Sequence, residues 1–566
     1  MNTSFHVIEN SSWLLTSKDS IFNISNAAIS ATVNNEVFSL IGDLQFENAQ
    51  AFGRNYDQTI STKKFKTFLS NCRFSFYKNG YLSISVTLEN CSSSPLQLGK
   101  IEFVSGDSRG ELRCKSPEPL KVLWTTGTCC NSAYPVMSFD TPGTRCLSRH
   151  FSLIYDCKSK TGLMIGFSTF DRLNTEMVLE STETGLLVSA YSDFNQYMLA
   201  PGAMIDSETI TFETELDYHS LLVNWTERVR LLYRPIFSAK PAIGWIGGWN
   251  YRNAFIGEDS YEQIIRENFE VLKKEFSDYP IKYIWVSIGN LEKDLPGNWL
   301  KENAKRFPSG LSALSDDLKE KGYRLGLWVA PFWIPDQHTD LNMIYWDCLL
   351  RCKGKPIYFQ NAWRIGETGD NPEERTGFYS LDPTHPKAEA FLKKVFTYYK
   401  DIGIRYFMLD FLNAGEGPMS NTFMYDEYFD KSLVNGPQVY RKALQIIKEA
   451  SANDTYMVAS TGPTLINTGY VDATRTGPDF GEGREPLPKY PSFYPAACKT
   501  DAWTIFRKAI NYYATSYHMD KRLFHVDAFN VLNIDPPASI SEIQTIISLF
   551  AMSSGPVMLG GDLAHS

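Results

Sequence analysis

A change of hydrophobic period near Pro241 constrains this chain more than any other feature. Beyond it, short apolar runs read as strands: AIGWIGGW (242–249), IKYIWVSIG (281–289), RLGLWVAPF (324–332), IRYFMLDFL (404–412), TYMVAS (455–460), VDATRTG (471–477), RLFHVDA (522–528) and PVMLGG (556–561). Amphipathic stretches with helical spacing lie between them, among them SYEQIIRENFEVLKKEF, SALSDDLKEK, PKAEAFLKKVFTYYKDI, GPQVYRKALQIIKEA and ISEIQTIISLFA. Eight strands in strict alternation with seven helices predict a (β/α)8 TIM barrel, whose active site sits at the C-terminal ends of the strands. A doubly wound sheet would carry a Gly-rich phosphate loop after its first strand, and the sequence has none there. The sequence ends just after the eighth strand, so the expected barrel lacks its last helix and the chain reads as a fragment.

Before the change, YLSISVTLEN, GKIEFVSG, FSLIYD, GLMIGFSTF, GLLVSAYS and ETITFETEL are β-rich runs separated by turn residues, with period-2 alternation at Leu82, Ile84 and Val86. Strands without intervening helices predict an antiparallel sandwich of two large sheets over 1–235, followed by the barrel over 236–566. LLVNWTERVRLLYR (221–234) reads as a helical linker. With 566 residues, 43% of them hydrophobic and 21% charged, the chain can bury large cores and is expected to be ordered.

Composition also narrows the partners. A net charge of −9 provides no basic field for nucleic acid or anionic lipid. No run is apolar and long enough to span a bilayer, and MNTSFHVIENSSWLLTSKDS lacks the basic and apolar regions of a secretory signal. A cytoplasmic protein is expected, with an exported form and homo-oligomerisation left open. Ten scattered cysteines without a C-x-x-C pair read as buried thiols, with a disulfide or two open in the N-terminal part. The histidines form no HExxH or H-x-H pattern, and Cys348 with Cys352 lack companion ligands, so neither metal nor cofactor is expected. No G-x-S-x-G elbow or P-loop occurs.

Two acids stand out at strand ends. Asp410 closes an apolar run in YFMLDFLNAG, where a charge belongs only if it faces a polar cavity. Asp479 lies four residues beyond Arg475, in a loop shaped by Gly477, Pro478 and Gly481. Paired carboxylates are the minimum for glycoside cleavage, one acting at the anomeric carbon and the other protonating the leaving oxygen. The competing structural reading has Asp410 bonded to a loop amide and Asp479 paired with Arg475. His525 and Asp527 end the seventh strand, where a structural hydrogen-bonding role is the simpler reading.

From about 240 to 566 the sequence resembles the α-galactosidase (melibiase) group, glycoside hydrolase family 36 and the related family 27. The resemblance is carried by GWNYRNAF (248–255), RFPSGLSALSDDLKEKGYRLGLWVAP (306–331), YSLDPTHP (379–386), LDFLNAGEG (409–417), GYVDATRTGPDF (469–480) and SSGPVMLGGDL (553–563), in that order. The N-terminal part is similar to the β super-sandwich that precedes the barrel in family 36, and a C-terminal β domain would ordinarily follow.

The resemblance implies Asp410 as nucleophile, Asp479 as general acid/base, a covalent glycosyl-enzyme intermediate and net retention. It implies Arg475 beside the acid/base, Trp249 and Trp328 as ring faces for the sugar with Trp299 as a further ring, and Asn413 as a ligand for the 2-hydroxyl. Two features depart from the family. Its Asp-Asp pair at the second strand's end is replaced by Ser287 and Ile288, leaving Asn290, Asp294 or Trp299 to take over, and its Lys two residues before the nucleophile is Met408. The reading is therefore a retaining hydrolase acting on α-galactosides or a related α-linked sugar in oligosaccharides or glycoconjugates. The alternatives are a galactosyl transglycosylase resembling raffinose synthase and a silent carbohydrate-binding protein.

Overall fold

In a computed structural model of the chain, residues 4–564 are described apart from 9–11, 18–21, 52–53, 78–79, 106–109, 115–118, 129–133, 184, 216, 248–260, 288, 337–340, 360–376, 421–422, 478–501, 530 and 534–538. Two compact units result. The first comprises Met1–Gly127, Tyr134–Arg234 and Leu433–Gln438, and the second Thr128–Ala133, Pro235–Ser432 and Val439–Ser566.

In the first unit two antiparallel sheets, of nine and ten strands, enclose one apolar core. Alternation sets which residues enter it: along Tyr81–Asn90, Leu82, Ile84, Val86 and Leu88 are buried while the intervening positions are half-exposed. Trp13 of one sheet meets Phe212 of the other with ring centroids 5.1 Å apart, and Phe103 meets Phe167 at 5.8 Å. The helix Tyr218–Tyr233 starts at Asp217, whose carboxylate accepts the His219 and Ser220 amides. It buries Trp225 over Gly166, where a Cβ would lie 2.4 Å from the indole nitrogen.

Deep in this unit His150 is fully buried, its Nδ1 2.9 Å from Thr175 Oγ1. Burial pushes the imidazole down to about 3, with Arg149 adding to the fall. Below pH 6.5 the unfolded chain takes up a proton that the folded one refuses, so this site's contribution to stability is lost as pH falls from about 6.5 toward 3. A His150→Gln variant is therefore expected to lose less stability between pH 7 and pH 5 than the parent, read as the shift of the urea midpoint. Equal shifts in both proteins would contradict it.

The second unit is built on nine parallel strands. In spatial order they are His525–Asp527, Ala473–Arg475, Tyr456–Ala459, Tyr406–Leu409, Arg324–Val329, Tyr283–Val286, Ile243–Gly247, Val557–Gly560 and Leu532–Asn533. The two end strands of this order are separated in sequence only by residues 528–531, so the sheet has to curl back on itself. A Cβ on Gly555, just before Val557–Gly560, would lie 2.4 Å from the Val526 carbonyl, which brings the opposite ends of the strand order together.

Helices Tyr261–Glu275, Gly310–Glu320, Pro386–Asp401, Pro437–Ala450 and Ile540–Ser553 lie where the helical spacing predicts them, and Ala502–Ser516 lies between the sixth and seventh strands, where the alternation calls for a helix. Strict alternation fails at one place. Between Tyr456–Ala459 and Ala473–Arg475 the described chain forms only the short 3-10 turn Leu465–Asn467, because Gly462, Pro463 and Gly469 break residues 460–472 against a helix. A second difference is the seventh strand, which is interrupted and resumes as Leu532–Asn533. The last strand keeps Val557 and Leu559 half-exposed, whereas Tyr406–Leu409 and Tyr456–Ala459 are buried throughout.

Among the described residues no helix is long and apolar enough to cross a membrane. Of the described cysteines, Cys72, Cys146 and Cys348 are buried thiols, Cys352 is half-buried, and Cys91 and Cys157 are exposed.

Candidate active site

Side-chain alternation decides which residues point into the curled sheet. Phe407 packs outward on Phe396 and Tyr399 of the helix Pro386–Asp401, at 5.1 and 5.9 Å. Its neighbours Tyr406, Met408 and Asp410 therefore face inward. Tyr406 stacks on Tyr456 at 6.1 Å and meets Tyr283 at 5.5 Å, which fills the interior with rings below the site. Gly326 makes room for them, since a Cβ there would lie 2.8 Å from Tyr406 Cβ.

Register then aligns the strand ends. Leu409 pairs with Ala459, Ala459 with Thr474, and Arg475 with Asp527. One residue beyond the first two pairs, Asp410, Ser460, Arg475 and Asp527 share a single row at the C-terminal edge. Burial holds the Tyr406 hydroxyl well above the usual tyrosine range, Asp527 adding to the rise and Arg475 opposing it. Asp527 and Arg475 of the row thus act on the ring layer beneath them.

Asp410 is held by two donors. The Trp328 indole N–H donates to Oδ2 at 2.9 Å and the Phe411 amide to Oδ1 at 2.8 Å, while the Asp410 amide donates to the Val329 carbonyl. The carboxylate thus keeps a fixed orientation with lone pairs to spare. Trp328, 5% exposed, is enclosed by Trp299, Trp333 and Phe411. Its nitrogen donates to the carboxylate, a contact made in addition to the ring face that the resemblance implies for it. Trp299 is buried beneath it.

The residues that follow Asp410 and Ser460 are both in the left-handed region: Phe411 has φ 50° and Thr461 φ 43°. Each such non-glycine residue stores on the order of 1–3 kcal/mol, and strain of this kind gathers at functional sites. The two bends meet, because the Asn413 amide donates to the Thr461 carbonyl at 2.8 Å. Among the described residues nothing donates to the buried Asn413 Oδ1.

Arg475 is buried and spans two elements. One terminal nitrogen donates to Ser460 Oγ at 2.9 Å and the other to the Gly477 carbonyl at 3.2 Å. It thereby grips Gly477, two residues before Asp479 in sequence. Ser460 itself donates its amide to the Leu409 carbonyl, which ties this pair to the strand of Asp410. The sequence offers little contrast for Ser460, a small hydroxyl closing TYMVAS, although it ends a strand as Asp410 does.

Asp479 and Trp249 lie outside the described residues. Asn290 is buried four positions past the second strand, its backbone carbonyl accepting the Asn303 amide. Ser287, also buried, donates its amide to Gly247. His525 faces away from chemistry: its Nε2 lies 2.9 Å from the Ser238 carbonyl and burial pushes its pKa down. Asp382 of YSLDPTHP accepts from the Thr384 amide and hydroxyl and from the Phe429 amide, which fixes the turn into the helix started by Pro386. Among the described residues no group of three His, Cys, Asp or Glu side chains is placed to hold a metal.

A curled parallel sheet with a carboxylate, a buried arginine and a second carboxylate in one row at its C-terminal edge defines a class of α/β site built for polar ligands. Solved α-galactosidases share this fold. TtGalA from Thermus thermophilus, in complex with stachyose, matches with a TM-score of 0.54 and 16% identity over 91% of this chain and 95% of that one. The family 36 α-galactosidase AgaA from Geobacillus stearothermophilus matches with a TM-score of 0.60 and 14% identity, over 95% of this chain and 73% of its own. The galactosidase domain of the α-galactosidase–sucrose kinase AgaSK matches with a TM-score of 0.59 and 14% identity, over 96% and 70%. No family model matches the sequence.

Proposed function

We propose that the protein is a retaining α-glycosidase that removes terminal α-linked galactose, or a closely related α-linked sugar, from oligosaccharides or glycoconjugates. The observation that carries this reading is Asp410, inward-facing at a strand end and oriented by the Trp328 and Phe411 donors. In that role Asp410 attacks the anomeric carbon as nucleophile, and Asp479 gives its proton to the leaving oxygen and then deprotonates the water that releases the sugar. Retention requires the two carboxyl groups to stand about 5–5.5 Å apart. Solved α-galactosidases share this fold, one of them in complex with stachyose.

Arg475 serves by holding the loop of Asp479 at Gly477. The buried Oδ1 of Asn413 is a ready acceptor for a sugar hydroxyl, which would remove the roughly 1–3 kcal/mol cost of leaving it unpaired. Trp249 and Asn290 complete the proposed sugar contacts. Met408, apolar and inward where the resemblance leads one to expect Lys, leaves the choice between galactose and a neighbouring sugar to the other contacts.

The test is a panel of aryl α-glycosides differing at the 4-hydroxyl and the 2-substituent, with the first-formed anomer read by NMR. Turnover of the α-galactoside with an α-configured initial product is expected, and transfer to an added sugar acceptor would identify the transglycosylase variant of the same chemistry. Binding of galactose without turnover of any member would overturn the hydrolase reading in favour of a silent binding protein.

A further inference from the structure

The segment between the third strand and the helix Pro386–Asp401 carries exposed rings that the proposed site does not use. A small antiparallel sheet of Trp333–Pro335, Tyr358–Phe359 and Phe378–Ser380 forms a wall there. Phe378 stacks on Trp333 at 4.2 Å and Trp333 on Phe411, the neighbour of Asp410, also at 4.2 Å. Adjacent residues in a strand point to opposite faces, so Tyr379 projects away from that stack. On its face lie Tyr358, paired with it in register at a ring distance of 5.1 Å, and Trp346 at 5.5 Å.

Trp346 and Tyr358 are open and held still, while Tyr379 is half-buried. Trp346 is 43% exposed and Tyr358 44%. The Tyr358 hydroxyl donates to Asp336 Oδ2 at 2.7 Å, and the same carboxylate accepts the Gly377 amide at 3.0 Å. A Cβ on Gly377 would lie 2.0 Å from that hydroxyl, so only glycine allows the ring this position. The Arg351 guanidinium lies 5.2 Å over the Trp346 ring and donates to the Trp346 carbonyl at 2.6 Å. Leu350 and Ile357, on either side of the turn, are bonded into the wall through Ser380.

Fixed rings of this size offer wide apolar contact at little ordering cost. Asp336 at the Tyr358 hydroxyl and Arg351 over one face of Trp346 provide an acceptor and several donors, matching the hydroxyls of an uncharged pyranose, each of which can both donate and accept, while its C–H face lies on the open ring surface. We infer that Trp346, Tyr358 and Tyr379 form a second carbohydrate-binding surface, which takes sugar units of a long α-galactosyl-bearing glycan away from the bond being cleaved. This inference rests on the glycosidase reading for its choice of ligand.

The experiment is affinity electrophoresis of the full chain through gels containing galactomannan, run beside turnover of an aryl α-galactoside. The parent is expected to be retarded, and Asp410→Asn to be retarded equally although inactive. Combined Trp346→Ala and Tyr358→Ala should weaken retention about tenfold while leaving aryl α-galactoside turnover unchanged. Trp346→Phe, which keeps a ring, should retain part of the binding and controls for misfolding. Undiminished retardation of the double variant would overturn the inference, as would a change in its sedimentation without a change in retardation, which would make the surface a contact between copies. Absence of aryl glycoside turnover in the parent would sink the glycosidase reading instead, with galactomannan retention still deciding the surface.

Discussion

Replacing Asp410 with Asn is expected to lower turnover of an aryl α-galactoside by about 10⁴-fold or more, the scale seen when a covalent nucleophile is removed. The fold should survive, at a cost that the geometry identifies. The carboxylate accepts from two N–H donors, one on each oxygen. An amide has a single acceptor, so whichever way Asn is turned, its NH2 faces either the Trp328 indole N–H or the Phe411 amide. Leaving one buried donor unsatisfied costs about 1–3 kcal/mol. Far-UV circular dichroism is therefore expected to be unchanged and the melting temperature lowered by a few degrees. Parent-level turnover in this variant would remove Asp410 from the nucleophile role.

Asp410 could be found from sequence because a charge closing an apolar run conflicts with burial unless a polar cavity receives it, and the strand ends one residue earlier, at Leu409. The limits of that reading are equally physical. IRYFMLDFL reads as one strand through residue 412, but Phe411 turns into the left-handed region, and no hydrophobic pattern records a backbone dihedral. The row of Asp410, Ser460, Arg475 and Asp527 depends on parallel register, which is set between strands far apart in sequence. Asp527 thus reads as an ordinary structural acid until the register places it level with Arg475. Trp328 reads as a ring, and only its orientation shows that the nitrogen donates to Asp410. The missing helix after Tyr456–Ala459 was hidden for another reason: alternation is a property of the whole architecture, while GPTLINTG carries glycines and a proline that oppose a helix locally.

Arg475→Lys is expected to cost about 10²-fold in kcat/KM, on the scale of losing one charge-assisted hydrogen bond of about 1.5–3 kcal/mol. The planar guanidinium reaches Ser460 Oγ and the Gly477 carbonyl with separate nitrogens, so it fastens the fifth strand's end to the residue two before Asp479 in sequence. A lysine ammonium is a single point on a flexible stem and cannot hold both acceptors in that geometry. If Arg475 acts by placing Asp479, the defect should grow with the basicity of the leaving group, because a weakly basic phenolate departs without a proton and a strongly basic one does not. Aryl α-galactosides spanning a range of phenol pKa values separate the two cases. A loss that rises with leaving-group pKa assigns Arg475 to the acid/base loop, and an equal loss across the series would show that it acts on the sugar or on Asp410 instead.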